Sequence, residues 1–165
     1  MKTNKTETRF RPFALIISLL ITLSIGVVAA AFTRPEIAGW YTTLKKPDFT
    51  PPNWLFPVAW TLLYILIGIA AYLVWQLRDG SRTYKTAAII YIFQLALNFS
   101  WSIVFFGMHD TLGGLVVIIA LLVTIILNIS WFGRFSSSAA WLLVPYLLWI
   151  GYAMLLNLTI CVINK

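Results

Sequence analysis

The sequence is poor in the residues on which most soluble enzymes depend. Only 10% of its 165 residues are charged, and it holds a single cysteine, Cys161, and a single histidine, His109. One cysteine excludes an internal disulfide, and one cysteine with one histidine cannot form a closed structural zinc site or a pair of axial ligands to haem. We therefore expect no metal site and no required cofactor, and so small a charged share argues against an ordinary soluble domain.

Apolar residues make up 61% of the chain and are gathered into five long stretches. A bilayer core about 30 Å thick is crossed by roughly 20 helical residues, and each stretch reaches that length. They predict transmembrane helices at about 13–33, 54–77, 84–106, 111–132 and 139–163. Too little chain remains outside these spans for a second domain, so we predict an all-α fold in which residues 1–165 form one bundle of five transmembrane helices.

The first stretch also admits a different interpretation. Lys2, Lys5, Arg9 and Arg11 precede an apolar run that contains three alanines at 29–31, a pattern that resembles a secretory signal and its cleavage site. The run of about 20 residues exceeds the roughly 7–15 residues of a typical signal core, and small residues recur on one helical face. Both features favour a helix that is retained.

The net charge of +7 comes from basic residues that lie almost entirely between the apolar stretches. We interpret them as topology signals that face phospholipid headgroups, and we expect no nucleic-acid partner. Eight lysines and arginines fall in the N-terminal tail and in segments 78–85 and 133–138, against four in the first loop and at the C-terminus. The positive-inside rule then places the N-terminus in the cytoplasm and the C-terminus outside, with a bacterial cytoplasmic membrane as the expected location.

Ionisable groups are missing from the interior of every predicted span. The pattern places the acidic residues Glu36, Asp48, Asp79 and Asp110 in loops. Proton relays, pumps and charge-coupled carriers need ionisable side chains inside the membrane, so these functions are not expected. The single cysteine and the single histidine fall in different segments, which leaves little material for acid–base or nucleophilic catalysis.

Aromatic residues account for 16% of the chain, more than helix packing or an interfacial belt requires. Several share helix faces with amides, because residues three, four and seven apart lie on one side of a helix. The stripes are Trp60 and Tyr64 in the second span, Gln94, Asn98, Trp101 and Phe105 in the third, and Pro145, Trp149, Ala153 and Asn157 in the fifth. They predict a cavity that suits a flat, mostly apolar ligand. The alternative, that rings and amides only pack the helices together, stays open.

The first loop, residues 34–53, is unusually apolar and stiff. Prolines at 47, 51 and 52 prevent a continuous helix, and Trp40, Tyr41 and Phe49 are too apolar for a plain solvated connector. The loop is either a lid over the mouth of the bundle or a connector that lies in the membrane interface with its lysines on headgroups.

Together these residues resemble the TspO/MBR family of tryptophan-rich sensory and translocator proteins. The resemblance covers about residues 39–163, and each motif alone is weak, whereas the ordered set is specific. The motifs are Trp40-Tyr41 with Leu44, Lys46-Pro47, Pro51-Pro52, Trp60, Tyr64, Gly68, Gln94-Leu-Ala-Leu-Asn98, Trp101, Phe105-Phe106-Gly107, Pro145-Tyr146 and Trp149.

The resemblance implies a five-helix membrane protein, often a homodimer, that acts as a receptor, sensor or transporter. Its ligands would be porphyrins, such as protoporphyrin or haem, and similar flat hydrophobic molecules held in the bundle beneath the first loop. By the same resemblance the ligand-binding residues are Tyr41, Pro51, Trp60, Tyr64, Asn98, Trp101, Trp149 and Ala153. In some bacterial members, tryptophans at the positions of Trp60 and Trp149 are linked to light- and oxygen-dependent breakdown of protoporphyrin. The alternative is therefore an enzyme in which these two residues are catalytic.

The sequence departs from the family where animal members carry a sterol motif late in the fifth helix. That motif needs a tyrosine, and residues 155–165 contain none, so sterol transport is not expected. A homodimer remains the expectation from the resemblance, for which the third span offers the small pair Ala96 and Ser100 and the first span Gly26 and Ala30. His109 is expected to be a capping or surface residue and not a haem ligand.

Overall fold

The computed structural model describes residues 10–164, and within this range the chain is helical with short connections and no strand. Five helical segments are long and apolar enough to cross a membrane, which confirms the predicted fold class. Lys2, Lys5, Arg9 and Lys165, which contribute to the predicted orientation, lie outside the described residues. In chain order the elements are α1 (Pro12–Ala38), α2 (Trp40–Thr43), α3 (Leu55–Gln76), α4 (Arg82–Ser102) with a π-helical turn (Ile103–Gly107), α5 (Thr111–Gly133), α6 (Ser137–Leu142) and α7 (Val144–Ile163).

Short polar side chains determine where three of the helices begin. Ser81 accepts a hydrogen bond from the backbone N–H of Tyr84 at 3.1 Å, and Asp110 accepts one from Gly113 at 2.8 Å. Ser136 caps α6 in the same way. Each cap satisfies one of the backbone N–H groups that an α-helix leaves unpaired in its first turn.

The first helix is longer than its apolar stretch. α1 continues to Ala38 instead of ending near residue 33, so Glu36, which was expected in the loop, lies in the last helical turn. The helix passes through Pro35, whose missing N–H removes one hydrogen bond without ending the helix. The first loop is therefore shorter than predicted, because it starts at Gly39, and it contains the single turn α2.

The fifth span consists of two helices. α6 ends at Leu142, and α7 begins at Val144 with Pro145 in its first turn, where a proline is tolerated because the N–H it lacks would be unpaired there. The predicted stripe is wrong at this residue, since Pro145 is exposed while Ala153 and Asn157 are buried. Residues four apart do not stay exactly in line, and such a stripe drifts by about 40° at each step.

Small residues allow close contacts between helices. α1 packs chiefly on α3, α4 on α5, and α5 on α7. At Gly68 of α3 an added Cβ would lie 2.8 Å from Thr22 Oγ1, and Ser18 Oγ donates to the Gly68 carbonyl at 2.7 Å. Such residues let two helix backbones approach closely, which is how helices associate in a membrane.

The second and fifth spans do not stay together along their whole length. α3 packs on α6 but meets α7 only sparsely, so the two helices diverge toward the end of the bundle that carries the first loop. We call that end, formed by residues 39–54, 108–110 and 164, the first-loop end. The opposite end, formed by residues 10–11, 77–81 and 134–136, is the N-terminal end.

Candidate ligand site

At the first-loop end, aromatic side chains from several elements contact one another. The ring centre of Trp60 lies 5.6 Å from that of Tyr64 and 6.4 Å from that of Trp101, and Trp101 stacks on Phe105 at 5.4 Å. Centre separations of about 4.5–7 Å are those of attractive ring pairs. We call this set the aromatic cluster, and its members are Tyr41, Phe56, Trp60, Tyr64, Trp101, Phe105, Phe106 and Trp149.

Two consecutive phenylalanines are buried in the cluster. In a regular α-helix, neighbouring side chains point about 100° apart. Phe105 and Phe106 both lie inside because the end of α4 widens into a π-helical turn, with a hydrogen bond of 2.8 Å from Met108 N to the Ile103 carbonyl. Tyr41 packs on this pair, with its ring centre 5.8 Å from that of Phe106. Short π-helical turns of this kind occur frequently at functional sites.

Beside the rings, a chain of hydrogen bonds links α3, α4 and α7. Tyr64 Oη donates to Asn98 Oδ1 at 2.6 Å, and Asn98 Nδ2 donates to Tyr146 Oη at 2.8 Å. Tyr146 Oη in turn donates to Gln94 Oε1 at 3.0 Å. Both polar atoms of Asn98 are therefore occupied, so this residue, predicted to contact a ligand, holds two tyrosines in place. Polar bonds between helices stabilise bundles in membranes.

A second amide orients the indole of Trp101. Trp101 Nε1 donates to Asn157 Oδ1 at 3.3 Å, and Asn157 Nδ2 donates to the Thr111 carbonyl at 2.8 Å. Gly114 leaves room for this arrangement, since a Cβ there would lie 2.9 Å from Phe105 Cδ2 and 3.1 Å from Asn157 Oδ1. The buried indole N–H is thus satisfied, and the plane of the ring is held against the cluster.

Side chains in the middle of α7 and just after its end fasten the first loop to the bundle. Tyr152 Oη donates to the Phe49 carbonyl at 2.6 Å. The Asn164 side chain binds Lys45 twice, because Oδ1 accepts from its N–H and Nδ2 donates to its carbonyl, each at 2.9 Å. These contacts favour a lid over a connector that merely lies in the membrane interface.

Tyr41 is the residue of the first loop that is most deeply buried. Its side chain is 2% exposed, and its hydroxyl has no hydrogen-bond partner among the described residues. Burial raises the pKa of Tyr41 to about 12, with a smaller contribution from Tyr152, so the phenol stays protonated at physiological pH. Lys46 Nζ donates to the Tyr41 carbonyl at 3.0 Å and lies 4.7 Å from the ring centre. The site thus contains a neutral hydroxyl whose hydrogen is available to an acceptor.

Trp60 and Trp149 lie at the edge of the cluster, where α3 and α7 diverge. Both are half-buried, in contrast to Trp101, which is buried. Trp149 contacts Phe56 at 6.2 Å and Tyr152 at 5.8 Å between ring centres. The two half-buried indoles therefore lie on two helices that diverge, and the Phe56 ring bridges the space between them.

The structure brings most of the predicted ligand residues together. Tyr41 joins Trp149 through Phe56, whose ring centre is 6.4 Å from that of Tyr41. Ala153, one turn beyond Trp149, is buried, and Pro51 is half-buried in the first loop. Direct contacts link Trp60, Tyr64, Asn98 and Trp101.

The predicted stripes miss three residues that complete the site. Tyr146 precedes Trp149 by three residues and Phe56 precedes Trp60 by four, so helical spacing extends both stripes to include them. Tyr152 follows Trp149 by three residues and so extends the stripe as well, but its contact with the first loop depends on the path of that loop.

His109 is a surface residue, as predicted. Its Nε2 lies 2.8 Å from Glu36 Oε2, and its ring stacks on Trp40 with centres 4.5 Å apart. The φ angle of 57° puts His109 in the left-handed region, at the tight turn just before Asp110 caps α5. These contacts connect the turn between α4 and α5 to the end of α1.

The sequence is similar to known proteins along most of its length. The model of the TspO/MBR family matches residues 17–163. The chain is 46% identical to the tryptophan-rich protein TspO of Archaeoglobus fulgidus over 150 residues. The matched stretch covers 91% of this chain and 96% of that protein. It is 35% identical over 145 residues to the tryptophan-rich sensory protein of Cereibacter sphaeroides, a match that covers 88% of each chain. It is 34% identical over 133 residues to the translocator protein of Bos taurus, a match that covers 80% of this chain and 79% of that protein.

Proposed function

The chain belongs to the TspO/MBR family, and from that premise and the aromatic cluster we propose that it is a receptor for a porphyrin or a similar flat hydrophobic molecule. It is an integral membrane protein with five apolar helices. Its relatives carry the names tryptophan-rich sensory protein and translocator protein. We propose that ligand binding serves either to sense the porphyrin or to move it across the membrane.

The observation that carries the proposal is the buried, unpartnered hydroxyl of Tyr41 beside the packed rings. A buried donor without an acceptor costs about 1–3 kcal/mol, and folded proteins hold few of them. A porphyrin supplies both complements, because its flat surface stacks on aromatic rings and its carboxylates accept hydrogen bonds.

The divergence of α3 and α7 supports a route by which the ligand enters, by parting the ring contacts of Phe56 with Trp149 and of Trp60 with Tyr146. Trp60 and Trp149 stand on the two helices that diverge there, and both are half-buried. A planar ligand that enters between these helices contacts both indoles. The bonds from Tyr152 and Asn164 to the first loop then retain the ligand by holding the loop closed.

The proposal is tested by titrating the purified full-length protein in detergent with protoporphyrin in the dark. The absorption band of the porphyrin is the readout, because its signal does not depend on the number of tryptophans. We expect saturable binding that becomes weaker in the double variant Trp60→Phe, Trp149→Phe, since phenylalanine keeps a ring partner but offers the ligand a smaller surface than indole does.

The matched control is the double variant Trp131→Phe, Trp141→Phe, which also removes two indoles but at the N-terminal end of the bundle. This variant should bind like the wild type. A linear, unsaturable signal in all three proteins would mean that the porphyrin only partitions into detergent, and the proposal would be wrong.

A second candidate function is light- and oxygen-dependent breakdown of protoporphyrin. The close indoles of Trp60 and Trp101 favour it, because an indole can donate an electron to a photoexcited ligand and a neighbouring indole can then reduce the oxidised one. The reduced ligand passes its electron to oxygen, which is the oxidant of the reaction. Illumination of the loaded protein in air should then bleach the porphyrin, and this rate should fall in the Trp60→Phe, Trp149→Phe variant at saturating ligand. An unchanged rate would remove the catalytic role of these two residues.

A further inference from the structure

A cavity lies at the N-terminal end of the bundle, away from the aromatic cluster and independent of the function proposed for that cluster. Its volume is about 380 Å³, within the range of roughly 300–1,000 Å³ that is usual for ligand pockets. α1, α3, α4 and α5 all contribute to its wall. Its lining includes Ile17, Ile21, Tyr72, Trp75, Tyr84 and Ala88.

The cavity opens onto the surface that faces lipid. Ile17 and Ile21 line it, yet they are 57% and 51% exposed, so one side of the cavity is continuous with the outer face of α1. The cavity does not extend along the whole of α1 and α4, because near the first-loop end these helices are in contact, with the ring centres of Phe32 and Phe99 6.2 Å apart. The wall is apolar, apart from hydroxyls such as that of Tyr72, and therefore suits a hydrocarbon chain.

Two arginines lie over one wall of this cavity. The Arg78 guanidinium lies 3.9 Å from the ring centre of Trp75, and that of Arg11 lies 5.8 Å from the same ring. The Arg78 guanidinium is held there because its Nη1 donates to the Trp75 carbonyl at 3.2 Å. The backbone of Arg11 is fixed nearby, because its N–H donates to Tyr72 Oη at 2.9 Å. A guanidinium stacked on an indole has N–H groups left over for phosphate oxygens, since it carries five of them.

The charge at this end is unbalanced. Among the described residues it carries Arg11, Arg78, Arg82, Lys85 and Arg134, against the single carboxylate of Asp79. Asp79 is engaged locally, since hydrogen bonds from the Ser81 side chain and backbone hold the pKa of its carboxyl below the usual value. The ion pair recorded between residues 10 and 164, His109 with Glu36, is at the other end. The arginine pair is therefore available to an anion.

We propose that this cavity is a binding site for an anionic phospholipid. One acyl chain lies in the cavity between α1 and α4, and the headgroup phosphate binds Arg11 and Arg78 above Trp75. An apolar recess open to the bilayer and a pair of guanidinium groups at its mouth together match the two halves of such a lipid.

The site is tested by binding phosphatidylglycerol, carrying a photoactivatable group on one acyl chain, to the delipidated full-length protein in detergent. Phosphatidylcholine with the same chains is the uncharged comparison. We expect saturable, phosphatidylglycerol-selective labelling of residues that line the cavity, such as Ile17, Tyr84 and Ala88. Equal labelling by the two lipids, or labelling spread over other lipid-facing helices, would overturn the proposal.

Charge variants separate a specific site from a general attraction. The double variant Arg11→Gln, Arg78→Gln should bind phosphatidylglycerol about 30-fold more weakly, because each basic residue near an anionic headgroup contributes about fivefold. The control Arg34→Gln, Lys45→Gln removes the same charge at the first-loop end and should bind like the wild type. Equal losses in both pairs would contradict the site.

Cavity variants test the acyl-chain position without changing charge. Ala88→Phe fills the cavity and should abolish the cavity labelling, whereas Ile89→Phe, on the exposed face of the same helix, should not. Melting temperatures establish that each variant is folded. Lipid binding that emerges only after deletion of residues 2–9 would identify that segment as the natural occupant and would also overturn the proposal.

Discussion

At the scale of single residues, Gly26 leaves the space that the Tyr64 ring occupies beside the aromatic cluster. A Cβ added at Gly26 of α1 would lie 2.5 Å from Tyr64 Cδ2, far inside contact distance. Tyr64 in turn holds Asn98 through a bond of 2.6 Å. Gly26, which belongs to one of the small pairs that could support a dimer, therefore packs inside the bundle.

We expect Gly26→Ala to displace Tyr64 and to lower the free energy of unfolding by about 1–3 kcal/mol, as overpacking a filled contact does. The matched control is Gly151→Ala on α7, where an added Cβ meets no atom within 4 Å. That variant should be as stable as the wild type or slightly more stable, because alanine favours the helix. Thermal unfolding in detergent measures both, and equal losses of stability would contradict this packing.

The hydroxyl of Tyr146 is the centre of the hydrogen-bond chain. Tyr146→Phe leaves Asn98 Nδ2 and Gln94 Oε1 without their partner, so we expect a loss of about 1 kcal/mol, the usual size of such bonds within membranes. Tyr91→Phe removes a hydroxyl outside this chain and should cost less. Unfolding by a denaturing detergent compares the two variants, and a Tyr146→Phe protein as stable as the wild type would show that the chain contributes nothing.

Sequence reasoning predicts which residues face inward better than it predicts their partners. Helical spacing puts Asn98 and Trp101 on one face of α4, and both are buried. It does not reveal that Asn98 is bound by Tyr64 and Tyr146, because those bonds depend on how three separate helices are rotated about their axes. Neighbours along one helix are encoded locally, whereas partners on other helices are not.

At the scale of elements, the two irregular places in the helices escape prediction for different reasons. The break before Pro145 follows from proline chemistry, but its position at Leu143 depends on where α6 is capped by Ser136. The π-helical turn at residues 103–107 has no sequence rule, since it forms where Phe105 and Phe106 both gain burial. The sequence therefore predicts that the helices form, whereas the π-helical turn and the position of the break depend on how the helices pack.

The first loop provides a prediction about an element as a whole. The variant Tyr152→Phe, Asn164→Ala removes the side-chain bonds that fasten the loop to α7, so we expect the loop to open more often. Trypsin should then cleave after Lys45 faster than in the wild type. Protoporphyrin should dissociate faster from this variant, by about tenfold if two to three bonds of about 0.5–1.5 kcal/mol are lost.

Thr159→Ala is the matched control for the loop variant. It removes a hydroxyl of α7 that bonds only within its own helix, to the Leu155 carbonyl at 2.9 Å. Cleavage and dissociation should stay at the wild-type rates. A loop variant that behaves like this control would show that the first loop is a connector and not a lid.

At the scale of the whole molecule, hydropathy and length were sufficient to predict five spans, because only helices that bury their backbone groups cross a lipid bilayer in this way. The order of neighbours was not predictable, and neither was the cavity at the N-terminal end. Both depend on how α1 and α4 approach each other, which no local pattern describes.

The homodimer expected from the family stays a proposal, and the structure narrows where it can form. Ala96 of α4 is exposed on the lipid-facing side and Ser100 is half-buried, so this small pair is accessible to a second copy of the chain. Ala96→Phe should convert the dimer to a monomer. Ala120→Phe, at an exposed position of α5, should not, as measured by light scattering during size-exclusion chromatography; a dimer that survives Ala96→Phe would exclude this face.

The central claim, a porphyrin site beneath the first loop, is tested most directly by amide hydrogen exchange with and without protoporphyrin in the dark. Bound ligand should slow exchange in residues 44–50 of the loop and 103–108 of the π-helical turn, because both close on the aromatic cluster. Exchange in residues 78–84 and 134–138, at the N-terminal end, should not change. Protection confined to the N-terminal end, or no protection at saturating porphyrin, would contradict the site.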